Sequence, residues 1–84
     1  MTQTSFTTLT VRYWAAARSA AGVAEEPAEP GRVADVLAAA ETRHPELVPV
    51  LAVASVLVDG LAVGRDAEAP AGCVLEVLPP FAGG

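Results

Sequence analysis

The sequence predicts an α+β roll, a mixed β-sheet packed against one main helix. Strand-type alternation opens the chain near Thr7–Trp14 and closes it near Cys73–Leu78. Between these ends, Val33, Val36, Leu37 and Ala40 recur at i, i+3, i+4 and i+7, the core stripe of an amphipathic helix. Asp59-Gly60, flanked by apolar runs, marks a tight hairpin, because both residue types tolerate positive φ. At 84 residues the chain is one domain, near the small limit for a self-sustaining core.

The first strand is expected over Phe6–Trp14. Thr7, Leu9, Val11 and Tyr13 alternate with Thr8, Thr10, Arg12 and Trp14, so Leu9, Val11 and Tyr13 face the core while Arg12 and Trp14 face away. Ala15–Ala21 is alanine-rich and reads as a short helix stopped by Gly22. Val23–Ala28 reads as an edge strand, since Pro27 removes a ladder donor. Pro30-Gly31 signals a turn. The main helix starts near Val33, with Asp35 in its first turn and Arg43 and His44 in its last, and Pro45 ends it. His44 is expected to interact with the last helical carbonyls. Glu46–Ala52 reads as a turn of helix, Val53–Val58 and Leu61–Val63 as strands, and Gly64–Gly72 as loop. In the last strand Cys73, Leu75 and Val77 point inward and Val74, Glu76 and Leu78 outward. Glu25, Glu26 and Glu29 read as a solvated acidic face. The expected organisation is a domain over residues 1–78 followed by an extended tail over 79–84.

Composition excludes several function classes. Hydrophobic residues make up 52%, too many for a disordered chain. Ten acids against five bases, all arginine, give a net charge of −5, which argues against nucleic-acid binding. A single cysteine, Cys73, makes no internal disulfide and cannot hold an iron–sulfur or zinc site. One histidine without a ligand set is no metal centre either, so no metal is expected. The N-terminal MTQTSF has neither a basic segment nor an apolar core, and the apolar stretch Leu47–Val58 is broken by Pro49 and Ser55. The expectation is a cytoplasmic protein without membrane association. No nucleophile–base pair suggests a stand-alone enzyme.

The sequence closes on Pro79-Pro80-Phe81-Ala82-Gly83-Gly84. Paired prolines favour a stiff, extended stalk. Glycines lack a Cβ, so their backbone enters slots too narrow for other residues. A terminal carboxylate on Gly84 is ionised at neutral pH, with a reference pKa of about 3.3–3.7, and is a poor electrophile. Conversion to an acyl adenylate or acyl phosphate by another enzyme makes it able to accept sulfur, oxygen or nitrogen. The pattern therefore points to a carrier whose own end is the functional group, on a tail expected to be mobile when free.

Val11-Arg12-Tyr13-Trp14-Ala15-Ala16-Ala17-Arg18 with Ala21-Gly22 resembles the start of MoaD-type proteins, and Leu75-Glu76-Val77-Leu78-Pro79-Pro80-Phe81-Ala82-Gly83-Gly84 resembles the C-terminal signature of the MoaD/ThiS family of ubiquitin-like sulfur carriers. The resemblance implies a β-grasp fold. It implies that a ubiquitin-activating-like adenylating enzyme, using ATP and magnesium, forms an acyl adenylate on Gly84. A sulfur donor fed by a cysteine desulfurase then yields a thiocarboxylate. The tail next enters the large subunit of molybdopterin synthase, in a heterotetramer of two large and two small subunits, and its sulfur attacks cyclic pyranopterin monophosphate. A thiocarboxylate is anionic at neutral pH, the nucleophilic state of sulfur. No cofactor is expected on the chain itself.

On this reading Gly83 and Gly84 carry the chemistry, and Pro79, Pro80, Phe81 and Ala82 line the partner's channel. Phe81 stands where many relatives carry a small aliphatic residue. Trp14, the only tryptophan, and Leu78 are expected to form one outward apolar patch against the partner, framed by Arg12 and Arg18. Cys73 is expected to be a buried structural residue. Other readings are a sulfur carrier for thiazole, cysteine or a secondary metabolite, a protein modifier joined to lysines through Gly84, and an interaction module with an inert tail. The absence of lysine precludes lysine-linked chains of this protein on itself. The single cysteine excludes a β-grasp ferredoxin.

Overall fold

The computed structural model describes residues 6–80. The chain runs β1 (Leu9–Tyr13), α1 (Ala15–Ala21), β2 (Glu25–Ala28), β3 (Gly31–Arg32), α2 (Val33–Arg43), α3 (Leu47–Leu51), β4 (Ser55–Val58), β5 (Leu61–Val63), β6 (Glu68–Ala69) and β7 (Val74–Leu78). The main sheet has the order β2-β1-β7-β4-β5. β1 and β7 are parallel and the other neighbours in this sheet are antiparallel. β3 and β6 form a separate antiparallel ladder. With the helices packed on one face, this is the β-grasp fold.

Side-chain alternation decides which face is covered. Leu9, Val11 and Tyr13 of β1 and Leu75 and Val77 of β7 are buried, and Val33, Val36, Leu37 and Ala40 of α2 close over them. Each large apolar side chain sealed this way contributes about 1.5–3 kcal/mol of transfer free energy. Cys73 is buried with them, as its inward parity requires. Burial, together with the Asp59 charge, pushes its thiol above the usual range, which suits an inert filler.

Local backbone chemistry sets the turns. Gly22 ends α1 in the left-handed region, φ 77°, and its N–H returns to the Arg18 carbonyl at 2.9 Å. Asp59 and Gly60 have φ of 48° and 84°, the double positive φ of a type I′ hairpin turn.

The structure departs from the sequence reading at several places. β1 is shorter than Phe6–Trp14, because its pairing with β2 begins at Leu9 and Phe6 is exposed. β2 starts at Glu25 rather than Val23, and β4 at Ser55 rather than Val53. Gly31-Arg32 is the β3 strand rather than only a turn, and the segment 64–72 contains its partner β6. Two-residue strands show no periodicity in sequence. The turn of helix expected over Glu46–Ala52 is, by contrast, present as α3, which keeps Pro49 in its first turn, where a missing N–H is tolerated.

Two side chains have other partners than those expected. Glu26 belongs to β2 and is half-buried rather than part of a solvated acidic face. Tyr13 Oη donates to its Oε2 at 2.6 Å, and Arg43 Nε and Nη2 donate to the same oxygen at 3.2 and 3.0 Å. His44 Nε2 lies 3.0 Å from both carboxylate oxygens. The His44 side chain therefore meets Glu26, not the helix carbonyls; only its backbone N–H returns to Ala40. The imidazole also stands edge-on to the Tyr13 ring, with centroids 6.2 Å apart. This cluster ties the edge strand β2 to the end of α2.

Candidate partner-docking face

The outer face of the sheet is built by the same alternation that builds the core. Thr10 and Arg12 of β1 register with Val74 and Glu76 of β7, and Ser55 and Leu57 of β4 register with Leu78 and Glu76. Leu57, Val74 and Leu78 are half-buried on this face. The Trp14 N–H donates to the Val77 carbonyl at 3.2 Å, continuing the β1–β7 ladder by one residue and setting Trp14 beside Leu78 in register. Trp14 is 44% exposed, as its outward parity predicts.

Trp14 stands at a sharp change of direction. It is extended at φ −117°, and Ala15 then takes φ 50°, a left-handed value uncommon for a residue with a side chain. This turn lets the chain leave the sheet for α1 while the indole stays on the outer face. The indole Nε1 donates to Glu76 Oε2 at 3.0 Å. Arg12 Nε donates to Glu25 Oε2 at 3.1 Å, so this charge is matched within the face. Arg18 is exposed in the last turn of α1 and makes no ion pair among the described residues.

β7 ends at Leu78, where Pro79 is half-buried and Pro80 exposed. Phe81, Ala82, Gly83 and Gly84, and with them the expected tail mobility, lie outside the described residues. Of the expected site, the structure brings Trp14, Arg12, Leu78 and Pro79 to one end of one face. The Trp14–Glu76 hydrogen bond is not part of the sequence reading. Outward parity of both residues is legible there, but the strand register that joins them is not.

Elsewhere, a shallow groove between α2 and α3 is lined by Leu37, Ala38, Val48, Leu51, Glu41 and Arg65. The Arg65 guanidinium donates to the Leu51 and Ala54 carbonyls at 2.7 and 3.2 Å, closing the end of α3. Among the described residues, no group of His, Cys, Asp and Glu side chains has the arrangement of a metal site. No helix among them is long and apolar enough to cross a membrane.

The sequence matches the ThiS family over residues 11–84. The chain belongs to the ThiS family. This is a family of ubiquitin-like sulfur carriers, small proteins that act with partner enzymes. Similar solved structures extend the comparison. A candidate molybdopterin converting factor subunit 1 from Pyrococcus furiosus is 30% identical, with a TM-score of 0.79 over 88% of this chain and 98% of that one. SAMP1 from Haloferax volcanii is 25% identical, with a TM-score of 0.81 over 92% of this chain and 99% of that one. A chain of the BexX/CysO complex from Amycolatopsis orientalis is 26% identical, with a TM-score of 0.79 over 90% of this chain and 99% of that one. No curated protein sequence matches significantly. In ThiS-family terms, the segment Leu75–Gly84 and the start of the chain from Val11 both fall inside the matched range.

Proposed function

We propose that this chain is the sulfur-donating small subunit of a molybdopterin synthase, acting through a thiocarboxylate on Gly84. The likeness to the candidate molybdopterin converting factor subunit carries this reading. The Gly84 carboxylate attacks the α-phosphorus of ATP on an adenylating enzyme, with magnesium, and pyrophosphate leaves. A sulfur donor then displaces AMP. Gly83 and Gly84 give the thin end such active sites require, and Pro79, Pro80, Phe81 and Ala82 span the channel that leads to them. Trp14 and Leu78, flanked by Arg12 and Arg18, form the docking patch at the root of the tail. The acceptor, cyclic pyranopterin monophosphate, and the groups that handle it belong to the large subunit. The site of action is the cytoplasm, where ATP and the donor are at hand.

The likeness to a CysO complex supports a second reading, a carrier feeding a different acceptor enzyme with the same Gly84 chemistry. The likeness to SAMP1 supports a third, conjugation to target lysines. One experiment orders them. The protein is incubated with ATP, magnesium, the host's adenylating enzyme and a sulfur donor, and its intact mass is measured. A gain equal to one oxygen-for-sulfur exchange on Gly84 is expected. The product is then given to the large synthase subunit with cyclic pyranopterin monophosphate. Molybdopterin formation is the expected outcome, and thiocarboxylate that stays intact there moves the assignment to the second reading. Failure to gain sulfur with an active adenylating enzyme rejects the carrier altogether.

A further inference from the structure

The outer face carries two acidic groups that the carrier reading does not use, Glu25, which is paired with Arg12, and Glu76. Glu76 sits in the middle of β7, between Arg12 of β1 and Leu57 of β4. Arg12 is the nearest cation in register, yet its guanidinium is turned to Glu25. Glu76 makes no ion pair among the described residues. Its hydrogen-bond partner there is the Trp14 indole N–H, at 3.0 Å. The other support of Trp14 is backbone: its N–H on the Val77 carbonyl, and the left-handed Ala15 that follows it.

An exposed indole attached at a chain reversal has free χ1 and χ2 torsions unless something holds the ring. A charge-assisted hydrogen bond fixes one ring edge and leaves the faces open. Holding an anchor side chain in its bound geometry removes the ordering cost that a partner otherwise meets on docking. We propose that Glu76 is the positioning residue of the docking face: its carboxylate holds Trp14 over the end of β7 as a preorganised anchor at the root of the tail. This rests on the reading of the face as the docking patch for the enzymes that take the tail, the adenylating enzyme among them. It adds a residue that acts through Trp14 and not on the reacting atoms.

Trp14 is the only tryptophan, so its signals report this contact alone. The test compares wild type, Glu76→Ala and Glu76→Gln. In the free protein, the indole N–H proton resonance and the tryptophan fluorescence anisotropy are measured. With the adenylating enzyme, KM for the carrier and kcat are measured by ATP–pyrophosphate exchange. Glu76→Ala is expected to shift the indole N–H resonance upfield, lower the anisotropy and raise KM by about three- to tenfold with kcat unchanged. Glu76→Gln keeps a carbonyl acceptor and is expected to restore most of both effects. A purely structural role predicts a lower melting temperature with the indole signals and KM unmoved in the folded fraction, and that result overturns the proposal. So does an indole shift without a change in KM. If wild type supports no exchange at all, the carrier reading fails, while an unshifted indole in Glu76→Ala still refutes the positioning contact by itself.

Discussion

Replacing Glu26 by alanine tests what holds the edge of the sheet. The Glu26 side chain is 16% exposed and receives Tyr13, Arg43 and His44. A hydrogen bond to a charged group contributes about 1.5–3 kcal/mol net, and stranding a buried hydroxyl costs about 1–3 kcal/mol. The contributions share one carboxylate and do not add. Arg43 is 36% exposed and regains water when its partner is lost, so its share is small. Tyr13 is buried and regains little. Glu26→Ala is therefore expected to cost about 2–4 kcal/mol. A chain of 84 residues has about 4–13 kcal/mol in total at 0.05–0.15 kcal/mol per residue. At roughly 6 °C per kcal/mol for a domain of this size, melting falls by about 12–24 °C. Thermal and urea unfolding followed by circular dichroism measure both quantities, and Glu26→Gln, which keeps an acceptor for Tyr13, falls between. A cost under about 0.5 kcal/mol for Glu26→Ala refutes the reasoning.

The same cluster gives a pH dependence with a definite sign. Burial pushes Glu26 up, but hydrogen bonds from Tyr13, His44 and Arg43 and the Arg43 charge outweigh it and leave the carboxyl below its usual range. Its contribution is fully present above the unfolded carboxylate value of about 4.3 and is lost as pH falls through the lower folded value. Tyr13 is pushed well above the usual phenol range by burial and by Glu26, so its contribution is lost as pH rises beyond about 10. Glu26→Gln flattens the acid limb in a melting series across pH. Deleting Gly83-Gly84 is expected to abolish adenylation with the melting temperature unchanged. Gly22→Ala is expected to cost about 1–2 kcal/mol by urea denaturation, because φ is 77° and nothing within 4 Å of the added Cβ changes the packing. Cys73 is expected to resist alkylation in the native protein and to react fully in denaturant, as a buried thiol with a raised pKa should.

Much of this molecule is legible in its sequence, for physical reasons that also mark where legibility stops. Leu9, Val11 and Tyr13 declare a period of two, and Val33, Val36, Leu37 and Ala40 a period near 3.6, because one covered face forces each pattern. Trp14 is readable as outward by parity from Tyr13. Asp59-Gly60 is readable because few residues accept two successive positive φ values. What escapes is set by strand register and by long-range polar contacts. Glu26 looks like its neighbours Glu25 and Glu29, and only the pairing of β2 with β1, Val11 opposite Glu26, brings it within reach of Tyr13 and the end of α2. The Trp14–Glu76 contact spans 62 positions and follows from the parallel pairing of β1 with β7. The β3–β6 ladder escapes because each strand has two residues.

The position of β7 explains how the end of the described chain is anchored in the sheet. It is the central strand, hydrogen-bonded on one side to β1 and on the other to β4. Leu75 and Val77 are fully buried beneath it. The strand that leads to Pro79 is thus held on both edges and from beneath, and a pull applied beyond Pro80 is resisted by two ladders and the core at once. An edge strand such as β2, carried by a single ladder and the Glu26 cluster, would transmit the same pull into local opening. Parallel pairing adds a second consequence. β1 and β7 end at the same side of the sheet, so the start of α1, with Trp14 and Ala15, lies beside the root of the tail. On the proposed function, a partner that takes the tail meets Trp14 at the same time, because the indole residue and the end of β7 stand side by side in register.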